Sequence, residues 1–232
     1  MSIKENFSSK DLIFLHGYLS CKESFAYQYD FFERDFNVYK FDFTGFGDNK
    51  DMLKPYSLDD YVDELLEFID KNRLNKPNVV AHSFGGRVAI KTAVEHKDLL
   101  GKLVLTGSAG LKPKLTIKKL IKRTAFNLLK PFVKKENLSV FYSKDYRQLS
   151  PIMQKSFKLI VNEHLDGLAC QIQNQTLIIN GVLDKETPPY MARRLKKLIN
   201  NSKLEFIDGA GHFCFIDKPH KFNTEVREFL LS

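Results

Sequence analysis

The sequence predicts an α/β protein with one open, mainly parallel sheet of about six strands and helices on both faces. Two observations predict it. Short β-branched or aromatic runs alternate with stretches of helical periodicity, which is the pattern of parallel strands joined by helices. The chain has 232 residues, 43% of them hydrophobic, which is enough for one compact domain with a sizeable core.

The predicted elements follow one another in regular alternation. The strands are Asp11–Leu15, Asn37–Phe41, Asn78–Ala81, Lys102–Thr106, Thr176–Asn180 and Lys203–Ile207. The helices are Lys22–Glu33, Leu58–Asn72, Phe84–His96, Pro189–Ile199 and Pro219–Leu230. In the second helix the apolar residues recur every three or four positions, so one stripe faces the core. Ser57 before this helix and Asp60 in its first turn both favour a helix start there.

Residues 111–170 interrupt the alternation, and we predict an inserted helical lid between the fourth and fifth strands, with 1–110 and 171–232 as the core. Apolar residues from Ile117 to Phe132 form a helical stripe, which Pro131 ends or kinks. Residues 112–170 hold 13 Lys and Arg against 4 Asp and Glu, whereas the rest of the chain holds 23 against 24. The excess positive charge behind the net charge of +8 is therefore confined to this segment. Because a generally basic protein that coats nucleic acid would spread its charge more widely, we expect no nucleic-acid partner.

Cysteine usage and apolar runs exclude several classes of protein. The three cysteines are odd in number and lack metal-type pair spacing, so neither a disulfide framework nor a metal site is expected. The polar N-terminus lacks the apolar run of a signal peptide, and no stretch approaches the roughly 18 apolar residues of a membrane span. We therefore expect a cytoplasmic protein without metal or organic cofactor. The sequence predicts no oligomeric state.

The strongest local motif is the run from Asn78 to Gly86, NVVAHSFGG. A predicted buried strand leads directly into Ser83, and a helix begins immediately after it. A nucleophilic serine needs such a tight turn to present its hydroxyl, and the turn requires small residues two positions to either side, here Ala81 and Gly85. The alternative interpretation of a serine beside two glycines is a simple helix start or a phosphate-binding turn.

A serine nucleophile needs a histidine as its base. His82 is adjacent, but successive strand side chains point to opposite faces, so it is not expected to reach the Ser83 hydroxyl. His212 lies between glycines just after the last strand, at the carboxyl edge where open α/β sheets place their sites. Asp184 follows the fifth strand, and we consider Glu186 the less suitable acid. Cys214, two residues beyond the histidine, is expected to be a packed apolar residue.

Two further motifs follow the first two strands. His16, Gly17 and Tyr18 end the first strand, and the run from Asp42 to Gly47 ends the second. Together with the serine turn, the aspartate and the histidine, in this chain order, they resemble the motifs of α/β-hydrolases. The departure is Ala81, where the family's Gly-x-Ser-x-Gly elbow usually has glycine. The resemblance covers nearly the whole chain outside the predicted lid.

The resemblance assigns roles to the site residues. It implies Ser83 as nucleophile, His212 as base and Asp184 as the acid that orients it. It further implies an oxyanion hole formed by the backbone N–H groups of Tyr18 and Phe84. His16, Gly17, Gly85 and Gly86 would be structural, and the run from Asp42 to Gly47 would be a turn without chemistry. Because the His-Gly loop comes by residue 16, the family's first two strands have no room, and the strand order becomes 2-1-3-4-5-6 with right-handed crossovers.

The resemblance also implies the reaction, but not its substrate. We expect a serine hydrolase that cleaves a carboxylic ester or thioester of a small acyl substrate through an acyl-enzyme. The alternatives are a C–C bond hydrolase or lyase acting on an anionic carboxylate, or a non-catalytic ligand-binding homologue. The basic face of the predicted lid has three interpretations: it is solvated, it attracts an anionic substrate, or it makes weak contact with an anionic membrane surface.

Overall fold

The computed structural model describes residues 10–114, 146 and 149–232, and the structural statements below refer to these residues. The strands are β1 Asp11–Leu15, β2 Asn37–Phe41, β3 Asn78–His82, β4 Leu103–Thr106, β5 Thr176–Gly181 and β6 Ser202–Ile207. The helices are α1 Ala26–Phe32, α2 Leu58–Lys71, α3 Phe84–Glu95, α4 Pro151–Asn162, α5 Asp166–Ala169, α6 Pro189–Leu198, α7 Cys214–Asp217 and α8 Pro219–Leu231.

The six strands form one parallel sheet in the order β2-β1-β3-β4-β5-β6, which confirms the predicted strand order. Leu15 pairs with both Phe41 and Ala81, and His82 pairs with Thr106. The strands therefore end in register at one edge of the sheet. Every predicted site residue follows one of these ends.

Two hydrophobic layers cover the sheet, and alternate strand residues point into them as the two-residue period requires. In one layer, Ile13 and Val79 of the sheet pack against α2, α3 and α6. In the other layer, Phe14 and Val80 pack against α1 and α8. Both faces of the central strands are buried, which explains why these strands read as continuous apolar runs.

The ends of the first two helices differ in how well the sequence predicts them. At the start of α2, the Ser57 hydroxyl accepts from the Asp60 N–H at 3.2 Å, and the Asp60 carboxylate accepts from the Ser57 N–H at 2.7 Å, as the predicted start requires. The predicted helix Lys22–Glu33 is instead a 3₁₀ turn, Lys22–Phe25, followed by α1. Cys21 before it makes no capping hydrogen bond to the described residues, and short 3₁₀ turns are frequent at helix N-termini.

The described part of the predicted lid consists of α4 and α5, which lie between β4 and β5 in the chain. Arg87 in α3 donates from Nη1 to the carbonyl oxygens of Ile160 (2.9 Å) and Glu163 (2.8 Å), at the end of α4. Lys91, one turn further along α3, pairs with the Glu163 carboxylate at 2.5 Å. The predicted stripe Ile117–Phe132 and its break at Pro131 lie outside the described residues. In the described ranges, no helix is long and apolar enough to cross a membrane.

Candidate active site

Ser83 occupies the turn between β3 and α3 with φ 49° and ψ −104°, a backbone conformation that L-residues rarely adopt. Its N–H donates to the Thr106 carbonyl at 3.1 Å, and its own carbonyl accepts from the Ala109 N–H at 3.0 Å. The flanking residues His82 and Phe84 are buried, whereas Ser83 itself is partly exposed. The turn thus holds one serine in a strained conformation and presents it to solvent.

The two glycines after Ser83 allow this turn to pack closely against its neighbours. A Cβ at Gly85 would lie 2.5 Å from the Leu15 carbonyl oxygen, and one at Gly86 would lie 2.2 Å from the Ser108 hydroxyl. The Gly85 N–H donates to the His16 carbonyl at 3.1 Å. The predicted requirement for a small residue at Gly85 therefore has a structural reason, which is the direct backbone contact between α3 and the loop after β1.

Asp184 and His212 are brought into direct contact. His212 Nδ1 lies 2.9 Å from Asp184 Oδ2, and the carboxylate side chain is fully buried while the imidazole is 14% exposed. The other oxygen, Oδ1, accepts from the N–H groups of Glu186 (2.8 Å) and Thr187 (2.9 Å). Because the carboxylate accepts the Nδ1 proton, the neutral imidazole has a free lone pair on Nε2.

Burial alone raises the pKa of Asp184, but the hydrogen bonds from His212 and Thr187 outweigh it and hold that pKa below its usual value. The Thr187 hydroxyl contributes from 2.8 Å to Oδ2 and also lies 2.9 Å from the Gly107 carbonyl. Asp184 is thus an ionised, fully hydrogen-bonded carboxylate under the His212 ring, as an orienting acid requires.

Ser83 and His212 both lie against the segment that follows β4. Ser83 is hydrogen-bonded to Thr106 and Ala109, and a Cβ at Gly107 would lie 3.2 Å from His212 Nδ1. Within the described ranges, the Ser83 hydroxyl itself makes no hydrogen bond.

The loop from His16 to Tyr18, called the oxyanion loop below after its predicted role, is held in place by the His16 side chain. Its Nδ1 donates to the Gly17 carbonyl at 2.8 Å, and its Nε2 accepts from the Phe43 N–H at 3.1 Å. Burial lowers the pKa of His16, which keeps this doubly bonded ring neutral. The structure thus gives His16 the geometry of a loop support.

Tyr18 ends this loop and contacts both α3 and α4. Its ring lies 5.6 Å from the Phe84 ring between centroids, which places the two predicted oxyanion donors on adjoining segments. Its hydroxyl donates to the Met153 carbonyl in α4 at 3.0 Å. In the described part of the chain, the backbone N–H groups of Tyr18 and Phe84 donate to no other protein atom.

The run from Asp42 to Gly47 has the structural role expected of it. The buried Asp42 carboxylate accepts from the backbone N–H of Lys22 (2.7 Å) and of Asp48 (3.1 Å), and it pairs with Lys22 Nζ at 3.0 Å. A Cβ at Gly47 would lie 2.3 Å from this carboxylate. Cys214 is likewise buried, as expected, and its Sγ lies 3.2 Å from the Thr106 hydroxyl.

Sequence reasoning missed two residues beside the base. Thr187 was given no role in the site, yet its hydroxyl donates to Asp184 Oδ2. His82 was expected to point away, and it is buried, but its ring packs 4.6 Å from the His212 ring between centroids. Strand alternation could not reveal this contact, because the loop that carries His212 folds back over the end of β3. No group of three or more His, Cys, Asp or Glu suited to a metal ion occurs among the described residues.

Comparison with known proteins places the chain in a family. Residues 12–225 match the model of the alpha/beta hydrolase family, and the chain belongs to that family. It is 30% identical to a candidate esterase/lipase of Mycoplasma genitalium over 94% of this chain and 88% of that protein. It is 26% identical to 2-hydroxymuconate semialdehyde hydrolase of a Pseudomonas strain over 82% of this chain and 74% of that protein. An esterase from Exiguobacterium antarcticum has the same fold, with a TM-score of 0.77 at 22% identity over 97% of this chain and 93% of its own.

Proposed function

We propose that the protein is a serine hydrolase that cleaves a carboxylic ester or thioester of a small acyl substrate through an acyl-enzyme. The observation that carries the proposal is the 2.9 Å hydrogen bond between His212 Nδ1 and Asp184 Oδ2, at the sheet edge where Ser83 is presented. This bond leaves Nε2 of the imidazole as the proton acceptor, and the buried carboxylate stabilises the imidazolium that forms.

The reaction proceeds in two half-reactions. In the first, Ser83 Oγ attacks the carbonyl carbon while His212 Nε2 takes the hydroxyl proton, and the N–H groups of Tyr18 and Phe84 bind the oxyanion. His212 then gives its proton to the leaving alcohol or thiol as the bond to the acyl group breaks. In the second, His212 takes a proton from water, the resulting hydroxide attacks the acyl-enzyme, and Ser83 is released with its proton restored.

A second candidate function is hydrolysis of a C–C bond in an anionic carboxylate substrate. It is favoured by the similarity to 2-hydroxymuconate semialdehyde hydrolase. The same serine, histidine and oxyanion donors could serve either reaction, so the triad does not choose between them. A panel of esters, thioesters and unsaturated keto acids, compared by kcat/KM, separates the two, and the substrate class with the highest value identifies the function.

The direct test is turnover of a short p-nitrophenyl ester by Ser83→Ala. We expect kcat to fall at least about 10³-fold, because the remaining groups can bind the ester but cannot form an acyl-enzyme. Ser202→Ala is the matched control, since Ser202 begins β6 at the opposite edge of the sheet and should keep wild-type turnover. Wild-type rates in Ser83→Ala would refute the assignment of the nucleophile.

A further inference from the structure

We propose that His82 is a positioning residue that holds two loops in place beside the nucleophile. One is the base loop, Gly209 to Phe213, which carries His212, and the other is the oxyanion loop. The proposal rests on the proposed function. His82 is joined directly to Ser83 at the end of β3, and its ring contacts the segments that carry His212 and Gly17. One buried side chain would thus set the spacing of three parts of the site.

The contact with the base loop is a hydrogen bond. His82 Nε2 lies 3.1 Å from the His212 carbonyl oxygen, across a separation of 130 positions in the chain. Because a carbonyl can only accept, Nε2 must carry the ring proton and Nδ1 must carry the lone pair. Burial lowers the pKa of His82 to about 3, so the ring stays neutral while His212 exchanges protons.

The ring of His82 also fills the space beneath the base. It lies 4.6 Å from the His212 ring, 4.9 Å from Phe213 and 5.0 Å from Phe215 between centroids. His82 is only 1% exposed, so these contacts are made out of water. The base loop is therefore fixed by packing as well as by the hydrogen bond, and both contacts come from the residue next to the nucleophile.

The other ring nitrogen faces the oxyanion loop. His82 Nδ1 is buried and has no hydrogen-bond partner among the described residues. A Cβ built on Gly17 would lie 2.8 Å from this nitrogen and 3.2 Å from Cε1 of the same ring, so the loop packs closely against His82 at a position without a side chain. A larger residue at position 17 would push the loop or the ring out of place.

Two variants separate the donor of His82 from its bulk. His82→Phe keeps an aromatic ring but has no donor for the His212 carbonyl. His82→Gln loses the ring but can place its Nε2 amide where the imidazole Nε2 lies, since both atoms are three bonds from Cβ. We expect His82→Phe to lower kcat for the ester about 10- to 100-fold with KM within about twofold, because misplaced catalytic groups act on the chemical step. His82→Gln should recover kcat to within about threefold of wild type.

The rate of inactivation by a fluorophosphonate provides a second readout that does not depend on the substrate. It should follow the same order, with wild type and His82→Gln fast and His82→Phe slow. If His82→Phe matches wild type, or if His82→Gln is as slow as His82→Phe, the positioning role is wrong. A wild-type protein that does not react at all would instead contradict the proposed function.

A measurement on the unaltered protein covers the case in which His82→Phe does not fold. Ring nitrogen NMR of the ¹⁵N-histidine-labelled protein should show His82 as the Nε2–H tautomer, unchanged between pH 5 and 8. An Nδ1–H tautomer, or a ring that protonates in that range, would overturn the proposal. Where His82→Phe does fold, a thermal unfolding midpoint equal to that of wild type would exclude loss of fold as the cause of its lower rate.

Discussion

At Asp184, donors from two different loops converge on one buried carboxylate. His212 Nδ1, the N–H groups of Glu186 and Thr187, and the Thr187 hydroxyl all lie within 2.9 Å of its oxygens. A carboxylate that accepts this many hydrogen bonds stays ionised and is suited to orienting the imidazole. Glu186, only two positions away, has an exposed side chain and lends only its backbone N–H.

Asp184→Asn tests this difference between neighbouring acids. The amide cannot reproduce the full set of accepted bonds and favours the wrong imidazole tautomer, so kcat should fall about 10²- to 10⁴-fold. Glu186→Gln, the matched control, should stay within about threefold of wild type. Equal losses in kcat for both variants would show that Asp184 is not the orienting acid.

At this scale, the sequence motifs predicted the contact between Asp184 and His212 because each residue follows its own strand. The motifs could not predict His82 or Thr187 as neighbours of the base. Their contacts depend on how the loop from Gly209 to Phe213 folds over the sheet edge, which no local pattern encodes. That Nδ1 of His82 has no hydrogen-bond partner within the described ranges could be learned only from its three-dimensional surroundings.

At the scale of elements, the serine turn depends on the close approach of α3 to the end of β1. These two elements meet at Gly85, where an added methyl group would lie 2.5 and 2.8 Å from the backbone oxygens of Leu15 and His16. Backbone cannot rotate away as a side chain can, so the two elements would have to separate.

Gly85→Ala should therefore destabilise the protein by about 2 kcal/mol and displace the oxyanion loop. Gly167→Ala is the control, because a Cβ there would meet nothing within 4 Å and the residue lies inside α5. It should change the free energy of unfolding by no more than about 1 kcal/mol, in the stabilising direction. Denaturant unfolding of both variants measures the difference, and equal stabilities would contradict the packing described for the turn.

A second pair of elements, α2 and the loop after β2, is joined by Glu64. Its carboxylate accepts from the N–H of Thr44 at 2.9 Å and from the Thr44 hydroxyl at 2.9 Å. Burial raises the pKa of Glu64 to about 7 despite these bonds. The folded protein thus binds this proton more tightly than the unfolded chain, whose glutamate pKa is about 4.3.

The sign of the resulting pH dependence follows from linkage. Stabilisation by the protonated carboxyl is complete below about pH 4.3 and is lost as the pH rises to about 7. Glu64→Gln cannot ionise, so the Tm of wild type relative to Glu64→Gln should decrease between pH 4.5 and 8. Thermal unfolding of both proteins across this range is the measurement. A Tm difference that does not change with pH would refute the raised pKa.

The elements themselves were largely predictable, since the central strands are buried on both faces and the helices have clear apolar stripes. The exception is the start of the first predicted helix, where Cys21 provides no cap and a 3₁₀ turn precedes α1. The attachment of α4 by Arg87 and Lys91 was also not predicted. From sequence alone, two cationic residues in a helix are expected to be surface residues, because their partners at the end of α4 are far away in the chain.

At the scale of the whole molecule, the parallel sheet gathers residues that are far apart in sequence. Ser83 follows β3, Asp184 follows β5, His212 follows β6, and the His-Gly loop follows β1. Parallel strands put all these ends on one edge, and a site of this kind needs no local sequence continuity. The resemblance of the motifs to a known family supplied the strand order, which hydrophobic periodicity alone would have left open.

The central claim is that Ser83, His212 and Asp184 act as one unit. Mass-spectrometric mapping of the protein after reaction with a fluorophosphonate tests it most directly, because only an activated serine reacts. We expect a single adduct on Ser83 in wild type, and none in His212→Ala under the same conditions. An adduct on another serine, no adduct in wild type, or undiminished labelling of Ser83 in His212→Ala would contradict the account.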